Sequence, residues 1–217
     1  PAVAQALELI DAALARAQDF DPARDPRHFS IAMSDVGQIY FLPQLMEVLA
    51  QTAPQVSLRT VALSDAELAD GMADGRIALA LCWLPHLQTG FFQQVLFRQG
   101  YTCLMRAGHP ATLRPWGKAS FLGCDHVRVE AGGSGHGRIE PQLQRLGMQR
   151  HIRLAVPDYV ALGHVLLHTD LVATVPERFA ERICTTLALT RRPVPASLAS
   201  SVIHQVWHAR THRDPAH

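Results

Sequence analysis

Twelve histidines in 217 residues raise metal binding and acid–base catalysis first, because imidazole both ligates metals and titrates near neutrality. Their spacing carries neither. His164 and His168 stand four apart in a helical segment and share one face, but the segment lacks the glutamate of a His-Glu-x-x-His zinc motif and no second cluster accompanies it. His204 and His208 flank Val206-Trp207 in a strand. Gly133-Ser134-Gly135-His136-Gly137 has the glycines of a loop that cradles an anion, without a P-loop lysine or the Gly-x-Ser-x-Gly of a hydrolase elbow. Cys82, Cys103, Cys124 and Cys184 show no paired metal spacing and sit in apolar, strand-like stretches, the pattern of reduced, buried thiols. No catalytic residue, metal or cofactor is expected.

What remains can bind rather than react. Arg178 carries a planar fork of donors that matches a carboxylate or sulfonate; its alternative role is a surface ion pair. Ser34 can hydrogen-bond a ligand or simply cap the following helix. His136 is a ligand contact or a solvated loop residue, and Asp158 reads as a cap. Phe41, Trp83, Phe91, Phe92 and Phe97 mostly serve the core, with one or two available to line a pocket for a ring.

The elements that position these groups alternate. His28–Met33 is an apolar strand. Pro43–Thr52 is helical, Val56–Leu63 a strand, and Asp65–Asp74 a helix capped by Ser64 or Asp65 and ended at Gly75. Ile77–Trp83 is a continuous apolar run, as in a strand covered on both faces. Val95–Met105 is extended and Val127–Glu130 a strand. The loop Gly132–Gly137 leads into a helix through Leu146. Ile152–Val156, Leu171–Val175 and Ser201–His208 are strands; Tyr159–His168 and Pro176–Ile183 are helices. Strand–helix alternation predicts an α/β fold with mostly parallel sheets. In such sheets ligands sit beyond the carboxyl ends of strands, at helix starts. That rule selects Ser34-Asp35, Ser134–Gly137, Pro157-Asp158 and Pro176–Arg178.

Composition excludes other classes. The chain is 48% hydrophobic and 18% charged, ordinary for a packed domain. Lys+Arg 20 against Asp+Glu 19 leaves a net charge of +1, no electrostatic footprint for nucleic acid or an anionic membrane. No apolar run is long enough to span a bilayer, and no secretory signal is evident. Val3, Leu7, Ile10 and Leu14 step by 4, 3 and 4, which is either a coiled-coil seam or an amphipathic helix on its own domain. Asp21-Pro22 and Asp25-Pro26 end that helix. The ends of the chain read as those of a piece of a longer protein.

Several stretches together carry a family resemblance: Phe20-Asp21-Pro22, Ala32-Met33-Ser34-Asp35, Tyr40-Phe41-Leu42-Pro43, Leu87-Gln88-Thr89-Gly90-Phe91-Phe92, Gly135-His136-Gly137, Thr169–Ala180, Trp207-His208-Ala209 and Arg213-Asp214-Pro215. From Val3 to His217 the chain resembles the effector-binding domain of LysR-type transcriptional regulators. It is most similar to the branch answering to salicylate and related aromatic acids, such as regulators of naphthalene and nitrotoluene breakdown.

The resemblance implies a two-lobed, periplasmic-binding-protein-like (type 2) α/β domain, with the ligand cleft between the lobes. Residues 1–20 would be the end of a linker and dimerisation helix, 21–95 and 200–217 the first lobe, and 96–199 the second. Crossovers are expected near Val95–Gly100 and Pro195–Ser201. It implies effector contacts at Ser34, Gln99, His136 with Gly135, and Arg178, with Phe41 and Met46 tuning the response. Gln99-Gly100 departs from relatives, which often carry His or Asn and then a bulkier residue. The implied partners are a small aromatic acid, a second copy or three more, and DNA through a separate helix-turn-helix domain, in the cytoplasm and without membrane contact. A transporter's solute-binding protein and an enzyme on the same fold are the competing classes.

Overall fold

The computed structural model describes residues 20–62, 64–83, 89–130 and 135–216, apart from the side chains of Asp65, Gly135 and His136. The Val3–Leu14 seam lies outside the described residues.

The first sheet is built from β1 (Arg27–Met33), β2 (Val56–Val61), β3 (Leu79–Cys82), β4 (Phe91–Gln99) and β10 (Ser201–His208), in the order β2-β1-β3-β10-β4. The second holds β5 (Tyr101–Arg106), β6 (Asp125–Val129), β7 (His151–Val156), β8 (Leu171–Pro176) and β9 (Leu189–Pro193), in the order β7-β6-β8-β5-β9. The helices are α1 (Asp35–Thr52), α2 (Asp65–Ala73), α3 (Lys118–Leu122), α4 (Ile139–Arg145), α5 (Leu162–Leu167) and α6 (Glu177–Cys184).

The two sheets share one topology although the sequence shows no repeat. In each, a central strand pairs in parallel with two neighbours, β1 with β2 and β3, and β6 with β7 and β8. A strand running the other way, β10 or β5, then pairs antiparallel on both its sides. The sheets are therefore mixed rather than mostly parallel. The reversal comes from the crossings: the extended run Val95–Met105 is cut at Gly100 into β4 of one sheet and β5 of the other, and β10 returns to the first sheet after residues 194–200.

Helices cover the sheets with apolar side chains. Ala32, Ala80 and Val206 pack on Leu68 and Met72 of α2. Ile31, Met33 and Leu81 pack under Phe41 and Leu45 of α1. In the second sheet Leu104, Val127 and Ala173 meet Leu162 and Leu166 of α5 and Phe179 of α6. On its other face Cys103, Met105 and Val172 meet Phe121 of α3 and Leu143 of α4. Val36 and Ile39 of α1 join the second sheet's cluster, so α1 packs on both halves.

Three elements differ from expectation. The first helix starts at Asp35, eight residues before Pro43, and runs through that proline. Pro43 lacks an N–H, so one helical hydrogen bond is lost there, but it and Gln44 lie on an exposed face of the helix. Helix α3 is too short for a periodic signal and begins at Gly117 without a side-chain cap. Strand β9, Leu-Thr-Arg-Arg-Pro, is a polar edge strand. By contrast α2 begins with a full capping box between Ser64 and Glu67, and Gly75 adopts φ 86° just past its end.

Candidate ligand cleft

Strand ends from both sheets meet in a cleft. The first sheet contributes the start of α1, the end of β3 with Trp83, and Phe97 and Gln99 of β4; the second contributes Arg178 and Phe179 of α6.

Ser34 caps α1, its Oγ accepting from the Gly37 N–H at 3.2 Å, and it lies in the lining of the cleft. Asp35 beside it faces the other half of the molecule, its carboxylate accepting the backbone N–H of Tyr159. Asp158 is a local turn cap, accepting from the Val160 N–H at 2.9 Å.

Arg178 is half-buried and forms no ion pair among the described residues, against its alternative as a surface salt bridge. Its guanidinium carbon stands 4.0 Å from the Phe97 ring centroid and 5.3 Å from that of Tyr40, and it donates to the Tyr40 hydroxyl. Tyr40, Phe41 and Phe97 pack edge-on or tilted with centroids 5.0 to 6.0 Å apart. A cation on aromatic faces keeps its charge and several N–H donors for an incoming acid.

Gln99 is 5% exposed, and its Nε2 donates to the Gly100 carbonyl at 2.9 Å. That fixes the amide of a residue that lines the cleft, and an amide oxygen can only accept. The same carbonyl accepts the Glu177 N–H at 3.1 Å, and a Cβ on Gly100 would lie 2.6 Å from the Glu177 carboxylate. That carboxylate is the far end of an exposed side chain and can move aside. Ser201 ties the two crossovers, its hydroxyl 3.1 Å from that of Tyr101.

Phe41 lines the cleft; Met46, three turns into α1, is 46% exposed and is not part of the lining. The Gly135–Arg138 turn follows β6, where a loop contact was expected, but the side chain of His136 lies outside the description. Of the other aromatics Trp83 and Phe97 line the cleft, Phe91 packs against the first sheet's core, and Phe92 is 41% exposed on Trp207 and His212. Sequence reasoning gave no role to Tyr40, whose partner Arg178 lies 138 residues away; no local signal encodes such a pairing.

The remaining titratable groups sit apart. Burial pushes the Cys103 thiol up to about 12, while Cys82, Cys124 and Cys184 are only half-buried, so one cysteine rather than four is a buried thiol. His164 and His168 are exposed on α5. Among the described residues no three His, Cys, Asp or Glu side chains converge as a metal site, and no helix is long and apolar enough to cross a membrane.

A pair of like α/β sheets with a cleft between them, Arg178 held against its aromatic walls, defines a two-lobed ligand-binding domain. The chain belongs to the LysR family of transcriptional regulators: residues 23–217 match the LysR substrate binding domain. It is 44% identical over 213 residues to the HTH-type transcriptional activator NagR of a Ralstonia species, covering 98% of this chain and 71% of NagR. It is 42% identical over 214 residues to the HTH-type transcriptional activator NahR of Pseudomonas putida, covering 99% of this chain and 71% of NahR. Among solved structures, a probable transcriptional regulator from Pseudomonas aeruginosa superposes with a TM-score of 0.79 at 27% identity, over 96% of this chain and 71% of that one. The chain is thus the effector-binding domain of a LysR-type regulator, with the periplasmic-binding-protein-like fold, and not a transporter's solute-binding protein.

Proposed function

We propose that this domain senses a small aromatic acid, carboxylate or sulfonate, and so controls transcription of aromatic-degradation genes. The observation that carries the reading is Arg178, a cation without an ion-pair partner among the described residues, seated on Phe97 and Tyr40 in a cleft lined mainly by apolar and uncharged side chains. Arg178 pairs with the acid group. Ser34 and His136, with Gly135, add hydrogen bonds. Gln99 reads a ring substituent, Phe41 packs on the ring, and Met46 acts through α1 rather than by contact. No bond is made or broken in the ligand, and no cofactor takes part.

In this reading residues 1–20 close the linker helix, residues 21–95 with 200–217 form one lobe, and 96–199 the other. Ligand binding selects one arrangement of the lobes. A homodimer or homotetramer in the cytoplasm passes that choice to helix-turn-helix domains on DNA, the kind of domain named for NagR and NahR.

The test is a thermal-shift screen of salicylate, substituted benzoates and arylsulfonates, followed by calorimetry. Saturable stabilisation by one acid supports the reading. A folded protein that ignores the whole panel would remove the aromatic acid and with it the role of Arg178.

A further inference from the structure

The two sheets touch around the cleft at more than one point. On the α1 side Asp35 accepts the Tyr159 N–H, and Arg178 sits on Tyr40 and Phe97. A separate contact joins Trp83 and Arg138: the guanidinium carbon lies 4.6 Å from the indole centroid. Trp83 directly follows β3 of the first sheet. Arg138 closes the turn between β6 and α4 of the second. Trp83 is half-buried and lines the cleft; Arg138 is exposed and does not. The indole therefore stands between the cleft and the cation.

Arg138 forms no ion pair among the described residues, and the Trp83 indole face is what it meets across the cleft. Its charge also reaches the crossover. Burial pushes the Tyr101 phenol up, while the Ser201 hydrogen bond and the Arg138 charge pull it part of the way back. Trp83 and Arg138 thus stand at the place where chain from both sheets converges on the cleft.

We propose that the Trp83–Arg138 pair is a latch between the two sheets at the wall of the effector cleft. It holds the two sheets together at that point in the free domain, and it must open for a ligand to enter or leave. Trp83 is then the moving wall of the cleft and Arg138 a positioning residue that acts through it. This rests on the reading of the cleft as an effector site. A cation on an aromatic face at a partly exposed site changes an equilibrium by about threefold to tenfold, which is the size of effect to expect.

The experiment has two arms. In the free chain carrying Trp116→Phe and Trp207→Phe, Trp83 is the sole indole, and its quenching by acrylamide reports how well it is covered. Arg138→Ala should raise the quenching constant by roughly twofold, and Arg138→Lys, which keeps a cation over the ring, should restore most of the protection. In the second arm, stopped-flow binding of salicylate to the unaltered tryptophan background should show dissociation faster by about threefold to tenfold in Arg138→Ala, near wild type in Arg138→Lys, and no faster in Trp83→Ala/Arg138→Ala than in the stronger single variant.

Equal quenching in all three proteins overturns the latch, whatever salicylate does. Changed quenching with unchanged salicylate dissociation overturns its control of exchange. If the wild-type chain does not bind salicylate at all, the assigned effector class fails, and the quenching arm alone decides whether Arg138 holds Trp83.

Discussion

Arg178 of the second sheet stands with its guanidinium carbon 4.0 Å from the ring centroid of Phe97 of the first. One side chain thus joins the two halves of the molecule and supplies the positive charge of the cleft. The same contact that fixes the cation's orientation makes its position sensitive to how the halves are arranged. Arg178→Ala should weaken salicylate binding by at least about tenfold, the scale of one charge-assisted hydrogen bond. Arg178→Lys should recover only part of this, because an ammonium lacks the planar fork that fits both a ring face and a carboxylate. Calorimetry on the three proteins decides it; unchanged affinity in the alanine variant would sink the role.

Asp35 is the second strut. Its carboxylate accepts the Tyr159 N–H across the gap between α1 and the second sheet. Asp35→Ala should lower unfolding stability by about 1–3 kcal/mol, since a charged acceptor of a part-buried N–H is removed. Urea denaturation measures this. Backbone exchange at Tyr159 should rise with it, and a protected Tyr159 amide in the variant would show that the strut is dispensable.

His126 makes stability depend on pH. It is fully buried, its Nε2 is 2.8 Å from the Phe121 carbonyl oxygen, and burial pushes its pKa down to about 4, opposed by that hydrogen bond. An exposed histidine titrates near pH 6.5. Between those values the unfolded chain binds a proton that the fold refuses, so the stabilisation is complete above about pH 6.5 and is lost as pH falls towards 4, by up to about 3 kcal/mol. Urea midpoints at pH 7.5 and 5 should differ accordingly, and the difference should shrink in His126→Gln. An equal difference in the variant would move the effect to other histidines.

Gly163 tests packing against propensity. A Cβ there would lie 2.3 Å from Ile183 Cδ1 and 2.8 Å from Leu187 Cδ1. Alanine in a helix gains about 1 kcal/mol over glycine, but overpacking a tight core costs about 1–3 kcal/mol. With two neighbours in the way the second term wins. Gly163→Ala should lower the melting temperature by a few degrees, and Gly163→Ala combined with Ile183→Val should regain part of it. A more stable single variant would mean that the interface gives way easily.

Much of the molecule was legible from local pattern. Val56–Val61 alternates, Ser64 and Glu67 spell a capping box, and Leu171–Val175 is too apolar to be anything but a covered strand; each is decided by neighbours within a few residues, which is where hydrophobic periodicity and capping act. The strand-end rule likewise pointed to Ser34 and Arg178, because a helix start after a strand is itself a local feature. Family resemblance added Gln99, which no spacing would have selected, and singled out Phe41 from the other aromatics.

What only the tertiary structure decided are relations between distant residues. Val95–Met105 reads as one extended run, and nothing within it says that Gly100 hands the chain from one sheet to another; that depends on which strands are free to pair, and it turned parallel sheets into mixed ones. Pro43 looked like a helix start because its missing N–H is costly in general, and only the exposure of that face let α1 run through it. Arg178 was visible as a cation, yet its seat on Phe97 and Tyr40, like the hold of Arg138 on Trp83, follows from how two layers built from distant parts of the chain meet. Sequence fixes local conformation through short-range sterics and hydrogen bonds, whereas the cleft arises where surfaces from opposite ends of the chain are packed together.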